Sequence, residues 1–516
     1  MWGRLFERHR RAGLSLQGQV RSMMVGAILD GHLPPGTALP SSRDLAEALG
    51  LARNTVVLAY QQLVAESYLL SRERSGHVVN PDILQGRVAA PPAAGPAAAA
   101  RPSGAGPDWP ARLRLRPTAQ RNIVKPADWQ RYPYPFLYGQ YDPTLFPTAE
   151  WRECCLKALS VIDIRDWAQD LIGRDDESLV EQIRTRVLPR RGVWAAAEEI
   201  VITVGAQHAL YMVGDLLMSP DVTLAVEDPC YPDARNIFGA RTSRVLPVPV
   251  DAHGLPADAV PPGCDYVYVT PSHQCPTTVT MPLARRTALL QRAQEQDFVI
   301  IEDDYESENS FHGGPSPALK SLDRSDRVIY VGSLSKSFAP GLRLGYIVAP
   351  APLAAELRGL RRLMLRHSSA YVQRAFALFV SLGHHDAMMR RLAHAYRERA
   401  EALTGALARH LPQLQAMPVA GGASCWVRGP LHLDARALAQ QAQALGVLIE
   451  PGDVFFAQPG VGHCFRLGYS AIEAGRIDAG IQALAQALKR PGSAAAPAAG
   501  TADFPPLALG PAPGSA

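Results

Sequence analysis

Of the 52 basic residues in this chain only five are lysines, at positions 125, 157, 320, 336 and 489; the rest are arginines. Either residue supplies surface charge, but only a primary amine condenses with a carbonyl carbon, so the few lysines mark where an amine is needed. Lys336 is the one set for chemistry. It follows an apolar run, VIYVGS, is flanked by Ser333, Ser335 and Ser337, and precedes APGLRLGY, which returns into a further apolar run. By itself it reads equally well as a solvated loop cation; its surroundings decide.

Four more polar clusters sit where apolar, strand-like runs end. EEIVITVGAQHALYMVGDLL reads as strand, Gly turn and helix, and the helix start at Gly205, Ala206 and Gln207 could hold a phosphate on its free amides. TLAVEDPCYPD ends in Tyr231, a ring able to stack on a flat ligand. YVYVTPSHQCP runs into a polar loop at Ser272–Cys275, and DFVIIEDDYESE ends in Asp303, Asp304 and Tyr305. Each piece is common alone. Together with Lys336 they supply a Schiff-base amine, a carboxylate for a pyridinium nitrogen and a phosphate cradle, the set that pyridoxal phosphate requires.

These pieces need a scaffold. From about 132 to 490, apolar strand-like runs alternate with helical periods, the pattern of a parallel α/β sheet whose ligand site lies outside the carboxyl ends of its strands. Upstream, residues 14–80 read as a compact helical unit ending in a hairpin. Residues 81–131, rich in Ala, Pro, Gly and Arg, read as a linker that buries too little apolar surface to fold. The Pro/Ala/Gly-rich tail, 491–516, reads as disordered for the same reason.

In the N-terminal unit a helix from about Leu16 to Asp30 buries Val20, Met24 and Ile28. Ser41 or Ser42 caps a second helix, whose Leu45, Ala48 and Leu49 face inward and which Gly50 ends. A third helix follows a two-residue turn and buries Val56, Tyr60 and Leu63. Helix, Gly-containing turn, helix is the helix-turn-helix arrangement, and the first turn of the third helix presents Arg53, Asn54 and Thr55 to phosphates and base edges. SRERSGHVV forms a hairpin wing with Arg72, Arg74 and a turn at Gly76. Charge fits that use: residues 1–80 carry nine Arg against six acids, and 81–131 seven Arg and one Lys against three.

Composition also excludes. Seven cysteines, an odd number with no C-x-x-C pair, fit neither a disulfide framework nor a zinc module, and no metal site is expected. No apolar run is long enough to cross a bilayer, and the start, MWGRLFERHRRAG, lacks a signal core. The expectation is a soluble, cytoplasmic protein.

LPPGTALPSSRDLAEALGLARNTVVLAYQQLVAESYLLSRERSGHVV resembles the GntR-type winged helix. The resemblance implies that Arg43, Arg53 and Thr55 contact operator DNA. Ser67 stands where that family usually has Gly, which implies a local change at a helix end. GSLSKSFAPGLRLGY and VIIEDDYESE resemble the fold-type I aminotransferases, and the two modules together resemble the MocR/GabR-type regulators. The implied fold is an N-terminal winged helix-turn-helix linked to an α/β fold-type I transferase domain, with a smaller C-terminal α/β subdomain from about residue 371.

The same resemblance assigns roles. Lys336 would carry the Schiff base, Asp303 would pair with the pyridine nitrogen and Tyr305 with the ring hydroxyl. Ser333, Ser335 and Arg343 would hold the phosphate with the Gly205–Gln207 turn, and Tyr231 would stack on the ring. Arg466, in GHCFRLGYS, would bind a substrate or effector carboxylate as a bidentate guanidinium. YDPTLFPTAEWRE resembles an arm that packs near a partner's active site, which implies a homodimer. Two segments depart from the aminotransferases. CPTT, Cys275 to Thr278, replaces N-P-T-G, which removes a hydrogen bond to the ring hydroxyl and changes a tight turn. LIGRDDESLVEQI replaces G-Y-G-D-P-x-G on the substrate side.

The resulting expectation is a transcription regulator that senses a small amine or amino acid through formation of an external aldimine on pyridoxal phosphate. Two rivals remain open at this point. One is an active aminotransferase with a vestigial DNA-binding module. The other is a DNA-binding protein whose large domain only dimerises.

Overall fold

The computed structural model describes residues 2–8, 13–72, 76–84, 107–170, 172–306, 311, 317–419 and 421–490, and the chain divides into two compact units, 1–114 and 115–516. In the first unit the helices are α1 (Trp2–Arg8), α2 (Leu16–Leu29), α3 (Ser42–Leu49) and α4 (Arg53–Ala65), followed by the strands β1 (Leu69–Arg72) and β2 (Gly76–Val79). The stripe of α2 is buried as its spacing predicts, Met23 and Ala27 joining Val20, Met24 and Ile28. It packs on Val56, Ala59, Tyr60 and Leu63 of α4 and on Leu69 and Val79 of the hairpin. Ser41 is the cap of α3, its hydroxyl accepting from the Asp44 amide at 3.2 Å.

Two expectations for this unit need correction. On α3 the buried residues are Leu45 and Ala46, whereas Ala48 is exposed and Leu49 half-buried. At about 100° per residue, 45, 46 and 49 form one stripe, and 48 falls well off its centre. The unit also begins before residue 14, because Leu5 and Phe6 of α1 are buried in the same core. The hairpin pairs Leu69 with Val79 and Arg72 with Gly76. Arg74, expected in its turn, lies outside the described residues.

The larger unit is built on a seven-stranded sheet: β3 (Ile200–Thr203), β4 (Leu224–Asp228), β5 (Val245–Pro249), β6 (Tyr266–Val269), β7 (Val299–Asp304), β8 (Val328–Ser333) and β9 (Gly345–Val348). Their order is β3-β9-β8-β7-β6-β4-β5. The sheet is not wholly parallel: β9 runs antiparallel to both β8 and β3. The short β8–β9 connection is the cause, since a parallel return would need a crossover helix. Helices α5 (Gly205–Leu217), α6 (Pro232–Gly239) and α8 (Ala351–Leu365) cover one face, and α7 (Leu283–Gln296) covers the other.

A second sheet, antiparallel throughout, comprises β10 (Gln415–Ala416), β11 (Ser424–Arg428), β12 (Glu450–Pro451) and β13 (Cys464–Gly468), in the order β10-β11-β13-β12. Helices α9 (His384–His410) and α10 (Ala474–Leu488) share its core. Gly468 lets the chain segment at 137–138 lie directly on β13, since a Cβ there would sit 2.3 Å from the Tyr138 amide nitrogen.

The expected linker, 81–131, also needs correction. Its last part is built into the larger unit: Arg121 donates to the carbonyls of Asp453 and Phe456, Asn122 Nδ2 to Asp233 at 2.6 Å, and Asn236 Nδ2 to the Arg121 carbonyl at 3.0 Å. Composition concealed this, because the anchors are single polar side chains rather than an apolar stripe. In LIGRDDESLVEQI, Leu171 lies outside the described residues. Asp175 is buried against Arg361, while Asp176 caps the helix Glu177–Gln182 and binds Arg374. These aspartates brace helices.

Candidate functional site

Five strands of the large sheet end at one cavity of about 420 Å³. The walls include Gly205, Ala206, Gln207, Tyr231, Asp303, Tyr305, Ser333, Lys336, Arg343 and Arg466, so the structure brings these sequence candidates together. The side chain of Ser335 lies outside the described residues. Strand alternation separates the two adjacent aspartates. Asp304 points away from the cavity, onto Arg191 at 2.8 Å and the Tyr330 hydroxyl at 2.6 Å. Asp303 points into it, accepting from the Tyr268 hydroxyl at 2.9 Å through Oδ2.

Oδ1 of Asp303 is buried without a hydrogen-bond partner. Burial pushes this carboxyl up to about 6, against the Lys336 charge and the Tyr268 hydrogen bond. A buried, half-satisfied carboxylate is costly unless a cation or N–H donor completes it. A protonated pyridine nitrogen would do so. Lys336 reaches the same space, its Nζ 3.3 Å from the Tyr138 hydroxyl and 4.3 Å from the centre of the Tyr305 ring. Burial lowers its pKa, while the Glu306 charge opposes the shift. The amine is therefore easier to deprotonate and to use as a nucleophile.

The phosphate end of the cavity is defined by backbone. Gly205 has φ +79°, and a Cβ there would lie 3.3 Å from the Arg343 guanidinium. A Cβ on Gly345 would lie 2.8 Å from the Gly205 carbonyl carbon. Strand β9 thus lies hard against the start of α5, and Arg343 Nη2 donates to the Val204 carbonyl at 3.2 Å. Amides at a helix start, a guanidinium and the Ser333 hydroxyl make a dianion cradle. Tyr231 supplies an aromatic wall, its hydroxyl bonded to Asp233 at 3.0 Å. The donor set fits pyridoxal phosphate.

In the CPTT segment Thr278 takes φ +67°, the left-handed region that favours Gly, and its amide donates to the Gln274 carbonyl at 2.7 Å. A β-branched residue accepts the strained backbone there. Cys275 lines the cavity in place of the expected Asn.

On the opposite wall Arg466 is buried, its guanidinium 4.3 Å from the centre of the Tyr138 ring and 4.8 Å from that of Phe455. Its Nε donates to Glu450 at 2.8 Å. Burial opposes the charged form, but Glu450 outweighs it and the pKa of Arg466 rises. Glu306 sits nearby, 3.3 Å from the Tyr138 hydroxyl and 3.5 Å from His273 Nε2. Burial pushes Glu306 up to about 7 and His273 down to about 4. Sequence reasoning missed Tyr138, Glu306, Glu450 and Lys125 as site residues. Lys125 had a signal, as one of five lysines; Glu450 had none, since only the β12–β13 pairing brings it to Arg466.

In the smaller unit, Arg43, Arg53 and Asn54 are exposed, and Thr55 is half-buried. Arg53 Nε lies 3.5 Å from the Ser42 hydroxyl, so the two helices present one polar edge. Ala52 offers no side-chain cap to α4. The Tyr60 hydroxyl donates to the Pro40 carbonyl at 3.0 Å, which ties α4 to the start of α3.

A winged helix-turn-helix joined to an aminotransferase-type site defines the class. The family profile of class I and II aminotransferases matches residues 176–484, and that of the gntR family of bacterial regulatory proteins matches residues 16–79. The HTH-type transcriptional regulator TauR of Rhodobacter capsulatus is 45% identical over 92% of this chain and 97% of its own length. The probable rhizopine catabolism regulatory protein MocR of Rhizobium meliloti is 31% identical over 93% and 94%. Among solved structures, the α-aminoadipate aminotransferase LysN of Thermus thermophilus, complexed with N-(5'-phosphopyridoxyl)-L-leucine, is 28% identical. Its TM-score is 0.64, covering 75% of this chain and 98% of that one. The chain belongs to the MocR-type family of HTH transcriptional regulators, in which a GntR-type DNA-binding domain is joined to a class I and II aminotransferase domain. No helix among the described residues is long and apolar enough to cross a membrane.

Proposed function

We infer that this regulator acts as a cytoplasmic homodimer on operator DNA and responds to a small primary amine that carries an acid group. One observation carries the reading: a buried amine, a half-satisfied carboxylate and a guanidinium face one another across a single cavity, in a chain that also bears an exposed helix-turn-helix edge. Pyridoxal phosphate, when bound, supplies an aldehyde carbon that a primary amine can join covalently. Lys336 contributes the resident amine, and its burial favours the neutral, reactive form. Asp303 would hold a proton on the ring nitrogen of the cofactor and Tyr305 would serve its ring hydroxyl. Ser333 and Arg343 would hold the phosphate with the amides at Gly205–Gln207, and Tyr231 would stack on the ring. Arg466 selects an acid group and sets the distance at which the incoming amine meets Lys336's position. In the DNA-binding unit Arg43, Arg53, Asn54 and Thr55 face phosphates and base edges.

Such a ligand regulates only by favouring one DNA-binding state over the other. The test is a titration of amino acids into the cofactor-loaded protein on operator DNA, following absorbance and DNA affinity together. The reading expects both to change with one midpoint. Conversion of amino donor and 2-oxo acid at ordinary enzymatic rates, with DNA affinity untouched, would establish an aminotransferase instead.

A further inference from the structure

We propose that Lys125 is the residue through which the segment entering the large unit senses an acid group bound at Arg466, with Glu450 as the link between them. This deepens the reading above and rests on it. Lys125 lies on the segment that, by chain continuity, follows the stretch connecting the DNA-binding unit. Together with Asn122 and Ile123 it forms part of the cavity wall itself. The chain therefore needs no separate relay between pocket and connector, because the end of the connector is pocket.

The geometry is a row of three charges. Arg466 Nε donates to Glu450 Oε2 at 2.8 Å, and Glu450 Oε1 lies 3.4 Å from Lys125 Nζ. Glu450 and Arg466 are nearly inaccessible, with side chains 2% and 3% exposed, so their charges are poorly screened. Among the described residues of this row two cations flank one carboxylate, which gives it one positive charge in excess. A monoanionic group, carboxylate or sulfonate, neutralises it; a dianion or an uncharged end does not. Glu306 feels the charges of both Lys336 and Arg466, but its contacts are with Tyr138 and His273 and it touches no member of the row.

The Lys125 end of the row is the adjustable one. Glu450 Oε1 is buried without a hydrogen bond, so its hold on Lys125 is ionic and undirected. Lys125 also donates to the Tyr138 carbonyl, on the residue whose ring lies against Arg466. An acid group on Arg466 adds negative charge beside Lys125 and draws it inward. The rest of the segment follows, because Arg121 and Asn122 join it to the same unit, on Asp453 and Phe456 and on Asp233 of the cavity wall. Ligand binding thus tightens residues 120–125.

Trypsin reads this directly. Lys125 precedes Pro126 and is not a tryptic site, so its substitution removes no cleavage point. Cleavage after half-buried Arg121, relative to exposed Arg114, reports the segment. The probe is whichever straight-chain amino acid, from glycine to 6-aminohexanoate, most changes the absorbance of the loaded full-length protein; propylamine is the control without an acid. The probe should slow Arg121 cleavage in the wild type by at least about fivefold, the low end of a coupling between sites. Lys125→Gln should lose that protection and cut faster even without ligand, as should Glu450→Gln, and Lys125→Arg should restore it. An absorbance change with no change in the cleavage ratio overturns the proposal, as does full protection in Lys125→Gln. Ligand-dependent DNA binding that persists unaltered in Lys125→Gln also overturns it and leaves the regulatory reading standing. Protection in the wild type with DNA affinity unmoved supports Lys125 as sensor and overturns that reading.

Discussion

The two units of this chain keep their charges in opposite settings. Arg43, Arg53 and Asn54 stand exposed on an edge whose hydrophobic support lies wholly behind it. Asp303, Arg466 and Glu450 are sunk on strands with neighbours drawn from distant parts of the chain. Exposed charge acts over nanometres and is screened by salt, which suits a search along a polyanion. Buried charge is reached only by a ligand that enters the site, but it is nearly unscreened and already oriented, which suits recognition of one small molecule. Salt should therefore weaken DNA binding steeply and ligand binding little.

Five substitutions sharpen that contrast, beginning with the largest effect. Lys336→Ala should abolish the cofactor adduct that borohydride fixes, while near-native circular dichroism shows an intact fold; an adduct of wild-type yield would show that another amine carries it. Next comes Glu306→Gln in cofactor-free protein. Burial pushes Glu306 up to about 7, so the folded state keeps a proton that the unfolded chain has already released, and stability is lost as pH rises from about 4.5 through 7. Gln cannot ionise. Its stability relative to wild type should grow across that window by up to about 3 kcal/mol, measured by urea unfolding at several pH values. A pH-independent difference would place the Glu306 carboxyl in a solvated setting.

Arg53→Ala tests the exposed edge. It should cost about 1–3 kcal/mol of operator affinity if the guanidinium reads a base, and less, with a shallower salt dependence, if it holds a phosphate. An unchanged isotherm would move the DNA edge elsewhere. The smallest effects concern backbone. Ser67 and Thr278 both take positive φ, +61° and +67°, one in each unit. Ser67→Gly and Thr278→Gly should each stabilise by about 1 kcal/mol in thermal unfolding. A loss of stability at either position would mean that the side chain contributes more than the strain it costs.

That pair also marks where the sequence was legible. Both positions were recognisable as sites where relatives carry Gly, but whether the backbone would yield was not. At Thr278 the backbone is left-handed, held so by the Gln274 carbonyl and the close packing of that loop. The helix-turn-helix was readable almost residue by residue, since its core repeats at helical spacing within sixty-odd neighbouring positions; the rotation of a short helix and the start of the unit were not. That Gly205, Tyr231, Asp303, Ser333 and Lys336 would come together was readable too, because each lies at or just after the end of an apolar strand. On the wall around Arg466 only that arginine was legible, through the resemblance. Glu450, Tyr138 and Lys125 meet it only through strand pairing and through a segment whose composition resembles a linker. No local pattern records such a meeting.

The reversed strand β9 has one more consequence, for the order in which the chain matures. Ser333, Lys336 and Arg343 all belong to the β8–β9 hairpin, a local structure that can close early on a nascent chain. Gly205, against which that hairpin rests, belongs to a helix made far upstream, and no grip on a phosphate exists until the two have docked. Loading with cofactor would then be a checkpoint of assembly, and a chain that docked wrongly would stay colourless.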